Sequence, residues 1–534
     1  MEEALLLFIA RGIALLFKGI WWLILRLFGL AGDTLGVLRR AQSGETRPEA
    51  SRSLPAAAAP ARSAPTRAGK ARVPALIKAL EERVHALAAE ARRCAGEEGN
   101  EKLGAALSQM DDGGRALIER LRRGGEPVAV EVAREAARLD AVASAITIMI
   151  AQRRDGELLL LLGDSDALAE ACYRPILEYA RGAGITLTFE RAATVLGDSE
   201  LFAALASNPA RLAPIVLPPD WPVEVAWWPA LVHEVGHCFY RSVVMGGAGG
   251  KSVSLDTELR ARLQLPCGNG PLPSGLFPLT EADLRSALGA WLEEMFADAF
   301  GVMMLGPAFV HTMIWAFAGT PQAVITCQPV MPEGRFDEHP PAHLRVVLGC
   351  RLLAEMGYPT EARHLEASWR NRHGGPRQLW IPTRNGRWQG VVEEPLVARA
   401  AAVVMAFYDD SFASLGDEPL RSIPGLDFGP REHHAAIDAA TALLSRRTPV
   451  SRDARILIAG AVLAWAREPK QNAMILRGAR AHITAIDVSR RRLRLRAEAA
   501  DAADAASFEV EEGGDAIRDA ILLDAILRRP SLRR

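Results

Sequence analysis

Two histidines stand four residues apart in the stretch ALVHEVGHCF, residues 230–239, and Glu234 directly follows the first of them. On an α-helix, His233 and His237 lie about 40° apart around the axis and one turn along it, so both imidazoles reach the same ion. The glutamate beside the first histidine then points at metal-bound water. The spacing predicts a helix that presents a metal site on one face. The alternative is a pair of histidines with core or surface roles on an amphipathic helix.

A third metal ligand is expected from a separate helix downstream, because a catalytic zinc ion takes three protein ligands and keeps one position open. The stretch WLEEMFADAFG, residues 291–301, offers two adjacent glutamates and an aspartate. At about 100° per residue, Glu294 and Asp298 lie beside the apolar face of this helix, whereas Glu293 lies on the far side and is expected in solvent. Two inward carboxylates require partners. A zinc ion on Glu294 and a histidine N–H on Asp298 would satisfy both; an ordinary acidic helix is the alternative.

The helix that carries Glu294 has clear predicted ends. Thr280 and Asp283 form a sequence of the capping-box type, which predicts the start. Gly306 followed by Pro307 predicts the end, because glycine favours the left-handed conformation after a helix and proline cannot continue one. One helix is therefore expected between these two signals.

HExxH followed by ExxxD resembles the motif pair of the gluzincins, zinc metallopeptidases built on the thermolysin plan. The resemblance implies that His233, His237 and Glu294 bind Zn²⁺. It also implies that Glu234 is the general base and that Asp298 accepts a hydrogen bond from a ligand histidine. In such a site the zinc ion polarises the substrate carbonyl, and Glu234 takes a proton from the attacking water.

A later segment, HPPAHLRV at residues 339–346, is similar to the HP and arginine stretch that follows the third ligand in membrane-embedded members of that group. With this segment the resemblance extends from residues 227–305 to residue 350. Arg345 is expected to pair with an acid near the site. The oxyanion of the reaction also needs a second hydrogen-bond donor. Four side chains offer that chemistry, and the choice between them stays open: Tyr240, His311, His339 and His343.

The length of the chain, 534 residues, exceeds what one hydrophobic core usually organises, so several folded units are expected. The predicted fold class is α+β and predominantly helical. The predicted units are an apolar membrane-associated helix at 1–32, a disordered Ala/Pro/Arg-rich linker at 33–74, a helical region at 75–153, a zincin-like metallopeptidase domain at 154–375, and a mostly helical C-terminal region with a short hairpin at 376–534.

Strands are predicted from short apolar runs and from turn residues. Three runs of strand length predict strands at 156–164, 184–190 and 213–220. A β-hairpin is predicted around Asn385-Gly386, because this dipeptide favours a tight turn between two apolar stretches.

The N-terminal stretch LLLFIARGIALLFKGIWWLILRLFGLAG is almost wholly apolar but contains Arg11, Lys18 and Arg26. On a helix these cations form one narrow polar stripe, which indicates a membrane helix that either spans the bilayer or lies in its surface. An oligomerising core helix is the alternative. Residues 34–72 hold eight Arg or Lys and two acidic residues, so the positive-inside rule places the chain beyond them on the cytoplasmic side.

The formal net charge of −1, from 63 basic and 64 acidic residues, excludes a chain-wide field that would attract nucleic acid. The basic run SRRRLRLR at 489–496 alternates arginine and leucine, which favours a half-exposed strand over a nucleic-acid site. Six cysteines without a CxxC pair indicate reduced thiols and no disulfides. Cys238 is expected to face away from the metal and into the core.

Together these patterns predict a membrane-associated, zinc-dependent metallopeptidase whose catalytic domain faces the cytoplasm and cleaves protein or peptide substrates. Membrane lipid is the expected partner of the N-terminal helix, and no nucleic-acid partner is expected. Two alternatives stay open: a non-catalytic membrane-anchored scaffold with a zincin-like domain, and a zinc hydrolase of non-peptide substrates.

Overall fold

The structure, a computed structural model, describes residues 67–486 apart from 96, 98–99, 190, 198–211, 219, 247–251, 267–271, 275–278 and 328–334. The described residues belong to one compact unit that spans Thr66–Arg534. The apolar helix predicted at 1–32 and the strand predicted at 489–496 lie outside the described residues. So does the predicted linker as far as residue 66.

Three long helices form the first part of the described chain: α1 (Arg67–Ala95), α2 (Glu101–Gly124) and α3 (Glu126–Arg154). α1 packs against α2, and α2 packs against α3, because apolar residues recur every three or four positions and give each helix an apolar stripe. Gly125 separates α2 from α3 with a φ of 59°, a conformation that glycine adopts without steric strain. α1 begins before the predicted end of the linker at residue 74.

The fourth helix, α4 (Gly156–Gly182), contains the first of the three predicted strands, so the strand prediction for 156–164 is wrong. A short apolar run is common to strands and buried helices and does not distinguish them. Leucine is a strong helix former, and the alanine-, glutamate- and leucine-rich sequence that continues to Gly182 favours the helix.

Strands are few and form three two-stranded sheets among the described residues. The first sheet is parallel, with Arg191 opposite Leu212, and the other two are antiparallel. The strands are β1 (Arg191–Leu196), β2 (Leu212–Leu217), β3 (Val244–Gly246), β4 (Ser252–Ser254), β5 (Gln378–Pro382) and β6 (Trp388–Val392).

Of the three strand predictions that remain, two hold and one does not. β2 confirms the strand predicted at 213–220. β5 and β6 confirm the hairpin, and Gly386 in its turn has a φ of 75°. The strand predicted at 184–190 is wrong, because only an isolated bridge joins Leu187 to Val243 there. Strand β1 instead begins at Arg191, directly after the predicted segment, where the chain pairs with β2. Pairing with a neighbouring strand outweighs the local preference of a segment for strand conformation.

Helices make up most of the rest of the described chain. A short 3₁₀ turn (Val225–Trp227) precedes the first of them. In chain order they are α5 (Trp228–Ser242), α6 (Leu255–Leu263), α7 (Glu281–Ala290), α8 (Leu292–Leu305), α9 (Pro307–Ala316), α10 (Pro321–Ile325), α11 (Ala342–Glu355), α12 (Pro359–His373), α13 (Glu393–Asp409), α14 (Pro430–Leu444), α15 (Ala454–Arg467) and α16 (Asn472–Ile486). α8 packs against α5, α9, α11 and α13, so this helix lies at the centre of the packed helices.

The ends predicted for the helix that carries Glu294 are both present. Thr280 and Asp283 form the capping box at the start of α7. Gly306 ends α8 with a φ of 56°. A Cβ atom on Gly306 would lie 2.7 Å from the ring of Phe428, so both the conformation and the packing at this position require glycine.

Between those ends the expected single helix is interrupted at Trp291, which separates α7 from α8. Arg260 donates a 2.9 Å hydrogen bond from Nη1 to the carbonyl oxygen of Gly289. In an unbroken helix that carbonyl would accept from the backbone N–H of Glu293. The interruption therefore has its cause in a side chain from α6, which the local sequence pattern does not contain.

The described residues are mostly helical, as predicted. No helix within 67–486 combines the length and the apolar composition that crossing a bilayer requires. The described cysteines are all buried and none of them forms a disulfide.

Candidate metal centre

Helix α5 presents its two histidines on one face. The Nε2 atoms of His233 and His237 lie 3.1 Å apart, and the two rings meet edge to face with their centroids 4.7 Å apart. Val235, Cys238 and Phe239 are buried in the core of the protein. Cys238 does not line the cavity into which the histidines face, so its thiol takes the packing role expected from the sequence.

Helix α8 lies directly against α5 at Gly236. A Cβ atom at this position would lie 3.0 Å from the Cα atom of Ala297 and 3.2 Å from the side chain of Phe300. Glycine is therefore the residue that lets the two backbones approach this closely. The close approach brings Glu294 and Asp298 of α8 beside the histidines of α5.

Glu294 lies between the two imidazoles. Its Oε1 atom is 3.2 Å from Nε2 of His237, and its Oε2 atom is 3.5 Å from Nε2 of His233. One potential ligand atom from each of these three residues lies within 4.8 Å of the other two. The structure therefore brings together the three side chains that the sequence predicts to bind a metal ion.

Carboxylates hold the far nitrogen atom of both imidazoles. Oδ1 of Asp298 lies 3.1 Å from Nδ1 of His233, and Oε1 of Glu293 lies 2.9 Å from Nδ1 of His237. A carboxylate accepts hydrogen bonds, so each Nδ1 atom carries a proton. This leaves Nε2 of each ring as the atom that binds either a second proton or a metal ion.

Glu293 is not in solvent, so that prediction is wrong. Its side chain is 23% exposed, and it contacts Nε of Arg241 at 2.5 Å as well as His237. The helical phase correctly separates Glu293 from the apolar face of α8, but α5 covers this other side of the helix. The phase of one helix contains no information about its neighbour. The signal that could have found this contact is Arg241, a cation one helical turn after His237 on α5.

Arg345 of α11 is the cation paired with the acidic residues of α8. Its Nε and Nη2 atoms donate hydrogen bonds of 2.6 Å and 2.7 Å to the two carboxylate oxygens of Asp298. Nη2 also lies 3.1 Å from Oε2 of Glu294. The paired geometry orients Asp298 toward His233, and the ion pair expected near the site is present.

The site attracts positive charge. Burial lowers the pKa of His237, but the carboxylates of Glu294 and Glu293 outweigh burial and raise this pKa to about 10. Burial raises the pKa of Glu294, but Arg345 and His237 outweigh it and hold this pKa well below its usual range. Without a metal ion, protons on the imidazoles therefore provide the positive charge that the carboxylates favour. A divalent cation bound at Nε2 would provide the same charge.

The three potential ligands line a cavity of about 840 Å³. Glu234 lines the same cavity, and burial raises the pKa of its carboxyl group, partly offset by His237 and His233. Thr312 of α9 also lines the cavity, and its Oγ1 atom is buried without a hydrogen-bond partner in the described part of the chain. Nothing in the sequence pattern marks Thr312, because a lone threonine on an apolar helix carries no spacing signal.

Of the four candidate oxyanion donors, His339 is the one that lines this cavity. Its Nε2 atom lies 3.5 Å from Oε1 of Glu294. Its Nδ1 atom lies 2.5 Å from Oδ1 of Asp337. The hydrogen bond with Asp337 raises the pKa of His339, which favours the imidazolium form with a donor at Nε2.

The other three candidates have different surroundings. Tyr240 donates a 2.5 Å hydrogen bond to Asp256 and is buried. His343 is fully buried and accepts a 3.0 Å hydrogen bond from Nε1 of Trp369. His311 lines a second, separate cavity. These side chains are therefore not placed to contact a molecule bound beside His233 and His237.

The site combines two imidazole Nε2 atoms, the buried carboxylate of Glu294 and the carboxylate of Glu234 on the wall of one cavity. Such a set has the donor types of a metal site that also leaves room for water and a substrate. Protein-family models, curated proteins and solved structures were each compared with this chain, and none of them matches it.

Proposed function

We propose that the protein is a zinc-dependent hydrolase that cleaves peptide bonds as the gluzincins do. The observation that carries the proposal is the convergence of His233, His237 and Glu294, whose potential ligand atoms lie within 4.8 Å of one another. The three side chains share a cavity with Glu234. A zincin-like fold for residues 154–375 is part of the same proposal.

The side chains suit a zinc ion. Two imidazole nitrogens and one carboxylate oxygen are the ligands of catalytic zinc sites of the His₂Glu type, which keep a fourth position open. Glu294 is buried, and its Oε2 atom lies 3.1 Å from Nη2 of Arg345 and 3.5 Å from Nε2 of His233. This buried carboxylate is therefore surrounded by groups that favour its charged form, which is the form that binds a metal ion. Asp298 and Glu293 orient the two imidazoles, as carboxylates do for zinc-binding histidines.

Zinc in such a site supplies Lewis acidity, which acidifies a water molecule and polarises a substrate carbonyl. Glu234 is the base that takes a proton on its carboxylate and passes it to the leaving amine. The raised pKa of Glu234 suits this role, because a carboxylate whose pKa is raised toward the working pH is a stronger base for the proton of the attacking water. His339 directs Nε2 into the cavity as a donor for the oxyanion, while Asp337 holds its Nδ1.

A peptide substrate suits the lining of the cavity. Its volume of about 840 Å³ falls within the range of sites that enclose a ligand of several tens of atoms. Apolar side chains from Phe309, Met313 and Phe317 lie near the hydroxyl of Thr312 and the guanidinium of Arg241. Apolar surface beside hydrogen-bonding groups fits the alternation of side chains and amides along a peptide.

We also propose that residues 1–32 attach the protein to membrane lipid and that residues 67–486 face the cytoplasm. The support is the apolar N-terminal stretch with its narrow stripe of cations, together with the excess of Arg and Lys at 34–72. Flotation of the full-length protein with lipid vesicles tests this attachment. The double variant Leu15→Glu/Leu23→Glu should remain with the free protein, and equal flotation of both proteins would reject the attachment.

Metal content and turnover of the full-length protein test the enzymatic proposal. The wild type should retain one zinc ion per chain after purification, and Glu294→Ala should retain much less. Glu355→Ala, an exposed glutamate on α11, is the matched control and should retain as much zinc as the wild type. Glu234→Gln should retain zinc and lose turnover of a quenched fluorescent peptide library.

Each alternative gives a different result. Equal zinc in the wild type and in Glu294→Ala would remove Glu294 from the site. A zinc-loaded wild type with no turnover of the peptide library would reject a peptidase of broad specificity. In that case, a comparison of new protein N-termini in cells with and without the protein separates a non-peptide hydrolase or scaffold from a peptidase of narrow specificity.

A further inference from the structure

A second cavity lies on the other side of helix α9 from the candidate metal centre. Its volume is about 560 Å³, within the range of small-molecule sites. Phe309 and Thr312 of α9 line the metal cavity, whereas His311 and Trp315 of the same helix line the second cavity. Helices α12, α14 and α15 provide the other walls.

The interior of the second cavity is apolar. Trp315 and Trp465 meet edge to face with their ring centroids 5.5 Å apart. The remaining apolar wall consists of aliphatic side chains from four helices: Ile314, Leu365, Ile437 and Leu463. A ligand with an apolar body would remove this surface from water, which is the main source of affinity in such pockets.

Two arginines bring positive charge to the exposed rim of this cavity. Arg372 and Arg467 line the cavity, and neither forms a hydrogen bond or an ion pair with any residue in the described ranges. Glu361 is the only acidic side chain among the described lining residues. Two guanidinium groups beside one carboxylate leave a net positive charge at the rim, which attracts an anion.

Two half-buried histidines, His311 and His433, add hydrogen-bonding groups to the wall. Nδ1 of His433 is buried and has no hydrogen-bond partner in the part of the chain that the structure describes. Burial lowers the pKa of both His311 and His433, so both rings are neutral near pH 7 and can donate or accept.

We propose that the second cavity binds an amphipathic organic anion, a carboxylate carried on an apolar chain. The chain lies against the two indoles and the aliphatic wall, and the carboxylate is bound by Arg372 and Arg467. Guanidinium groups recognise carboxylates through charge and paired hydrogen bonds. A neutral alcohol of the same length lacks the charge, and a short acid lacks the apolar body. The proposal does not depend on metal at His233 and His237.

Isothermal titration of the full-length protein with decanoate, decan-1-ol and acetate tests this proposal. Decanoate should bind at one saturable site. The affinities of the alcohol and of acetate should each be lower than that of decanoate by roughly tenfold or more. The double variant Arg372→Gln/Arg467→Gln should weaken decanoate binding by roughly tenfold or more. Arg363→Gln, a change at an exposed arginine of α12 outside the cavity lining, should leave the affinity unchanged.

A second variant locates the site. Ile437→Trp places an indole into the cavity and should abolish decanoate binding, while a single cooperative unfolding transition shows that the variant is folded. If this variant does not fold, the arginine variants alone decide. Decan-1-ol binding as tight as decanoate, or unchanged decanoate binding in the double arginine variant, would overturn the proposal. The first result would show that the charge of the ligand is not recognised, and the second would show that the two arginines do not bind the carboxylate.

Discussion

Oε1 of Glu293 lies 2.9 Å from Nδ1 of His237, and Glu293 also contacts Nε of Arg241 at 2.5 Å. The carboxylate therefore links two side chains of α5 that lie one helical turn apart. The contact fixes the orientation of the imidazole of His237, whose Nε2 faces Glu294 at 3.2 Å. The orientation of one predicted ligand thus depends on a residue that no ligand motif includes.

Glu293→Gln should weaken zinc binding by roughly ten- to a hundredfold, the usual effect of losing a carboxylate that orients a zinc-binding histidine. The amide is a weaker acceptor for the Nδ1–H of His237 and does not neutralise Arg241. Competition with a chromophoric chelator measures the dissociation constant. Glu355→Gln on α11 serves as the control. Equal zinc affinity in both variants would show that His237 keeps its orientation without Glu293.

Gly236→Ala should lower the free energy of unfolding by about 1–3 kcal/mol, as overpacking does in a well-packed core. The added methyl group would lie 3.0 Å from the backbone of Ala297, so α5 and α8 must move apart. Zinc affinity should fall with stability, because Glu294 moves with α8. Urea denaturation and chelator competition measure the two effects.

The control for this variant is Gly182→Ala, because a Cβ atom on Gly182 meets no atom within 4 Å. Its free energy of unfolding should change little. If Gly236→Ala lost stability but kept full zinc affinity, the position of Glu294 would not depend on the close contact between the two helices.

Arg345→Met should lower the free energy of unfolding of the metal-free protein by about 3–5 kcal/mol, the usual effect of removing one partner of a buried ion pair. Asp298 and Glu294 would then be buried carboxylates without their arginine. Saturating zinc should recover part of the loss, since a ligand that binds the folded state stabilises it. Thermal unfolding with EDTA and with zinc measures both effects.

The control is Arg351→Met, which changes an exposed arginine of the same helix α11. This variant should resemble the wild type with and without zinc. Wild-type stability of Arg345→Met in EDTA would contradict the assignment of Arg345 as the partner that offsets the burial of these carboxylates.

The pH dependence of stability should report on His343. This side chain is fully buried, and its Nδ1 accepts a hydrogen bond from Trp369. Burial lowers the pKa of His343 below its usual value of 6.5, although Glu393 acts in the opposite direction. Below pH 6.5 the unfolded chain therefore binds a proton that the folded protein does not, so the free energy of unfolding should decrease as the pH falls.

His343→Gln should reduce this slope by up to about 1.4 kcal/mol per pH unit, the contribution of one proton. Urea denaturation between pH 5 and 8 measures the slope. Above pH 6.5 the ring is neutral in both states, and the slope should not change. His434→Gln, at an exposed position of α14, is the control. An unchanged slope in His343→Gln would show that His343 takes up its proton in the folded protein.

The positions of His233, His237, Glu294 and Asp298 follow from the sequence because each depends on the phase of a single helix. HExxH sets two imidazoles on one face of α5, and the apolar periodicity of α8 determines which carboxylates point inward. The distances between these groups, such as 3.2 Å from Glu294 to His237, then depend on how closely the two helices pack, and Gly236 permits their close approach.

Features that depend on a neighbouring element could not be read from local pattern. Glu293 is covered by α5, and Arg260 from α6 interrupts the helix at Trp291. The leucine run at 156–164 lacks a strand partner and continues as a helix. In the first two cases the deciding interaction comes from a residue distant in sequence, whereas the leucine run is ambiguous because a short apolar run is common to strands and buried helices.

Helix α9 separates two cavities, and the residue at which this helix begins determines which of its side chains line each cavity. Gly306 cannot be replaced without a collision with Phe428, and Pro307 occupies the first turn, so the first residue of the helix is set. Because successive residues are rotated by about 100°, His311 and Thr312 face different cavities. A one-residue insertion or deletion after Pro307 would rotate the residues that follow it, so that side chains now lining one cavity would face the other. This helix should therefore tolerate substitutions more readily than any change in its length.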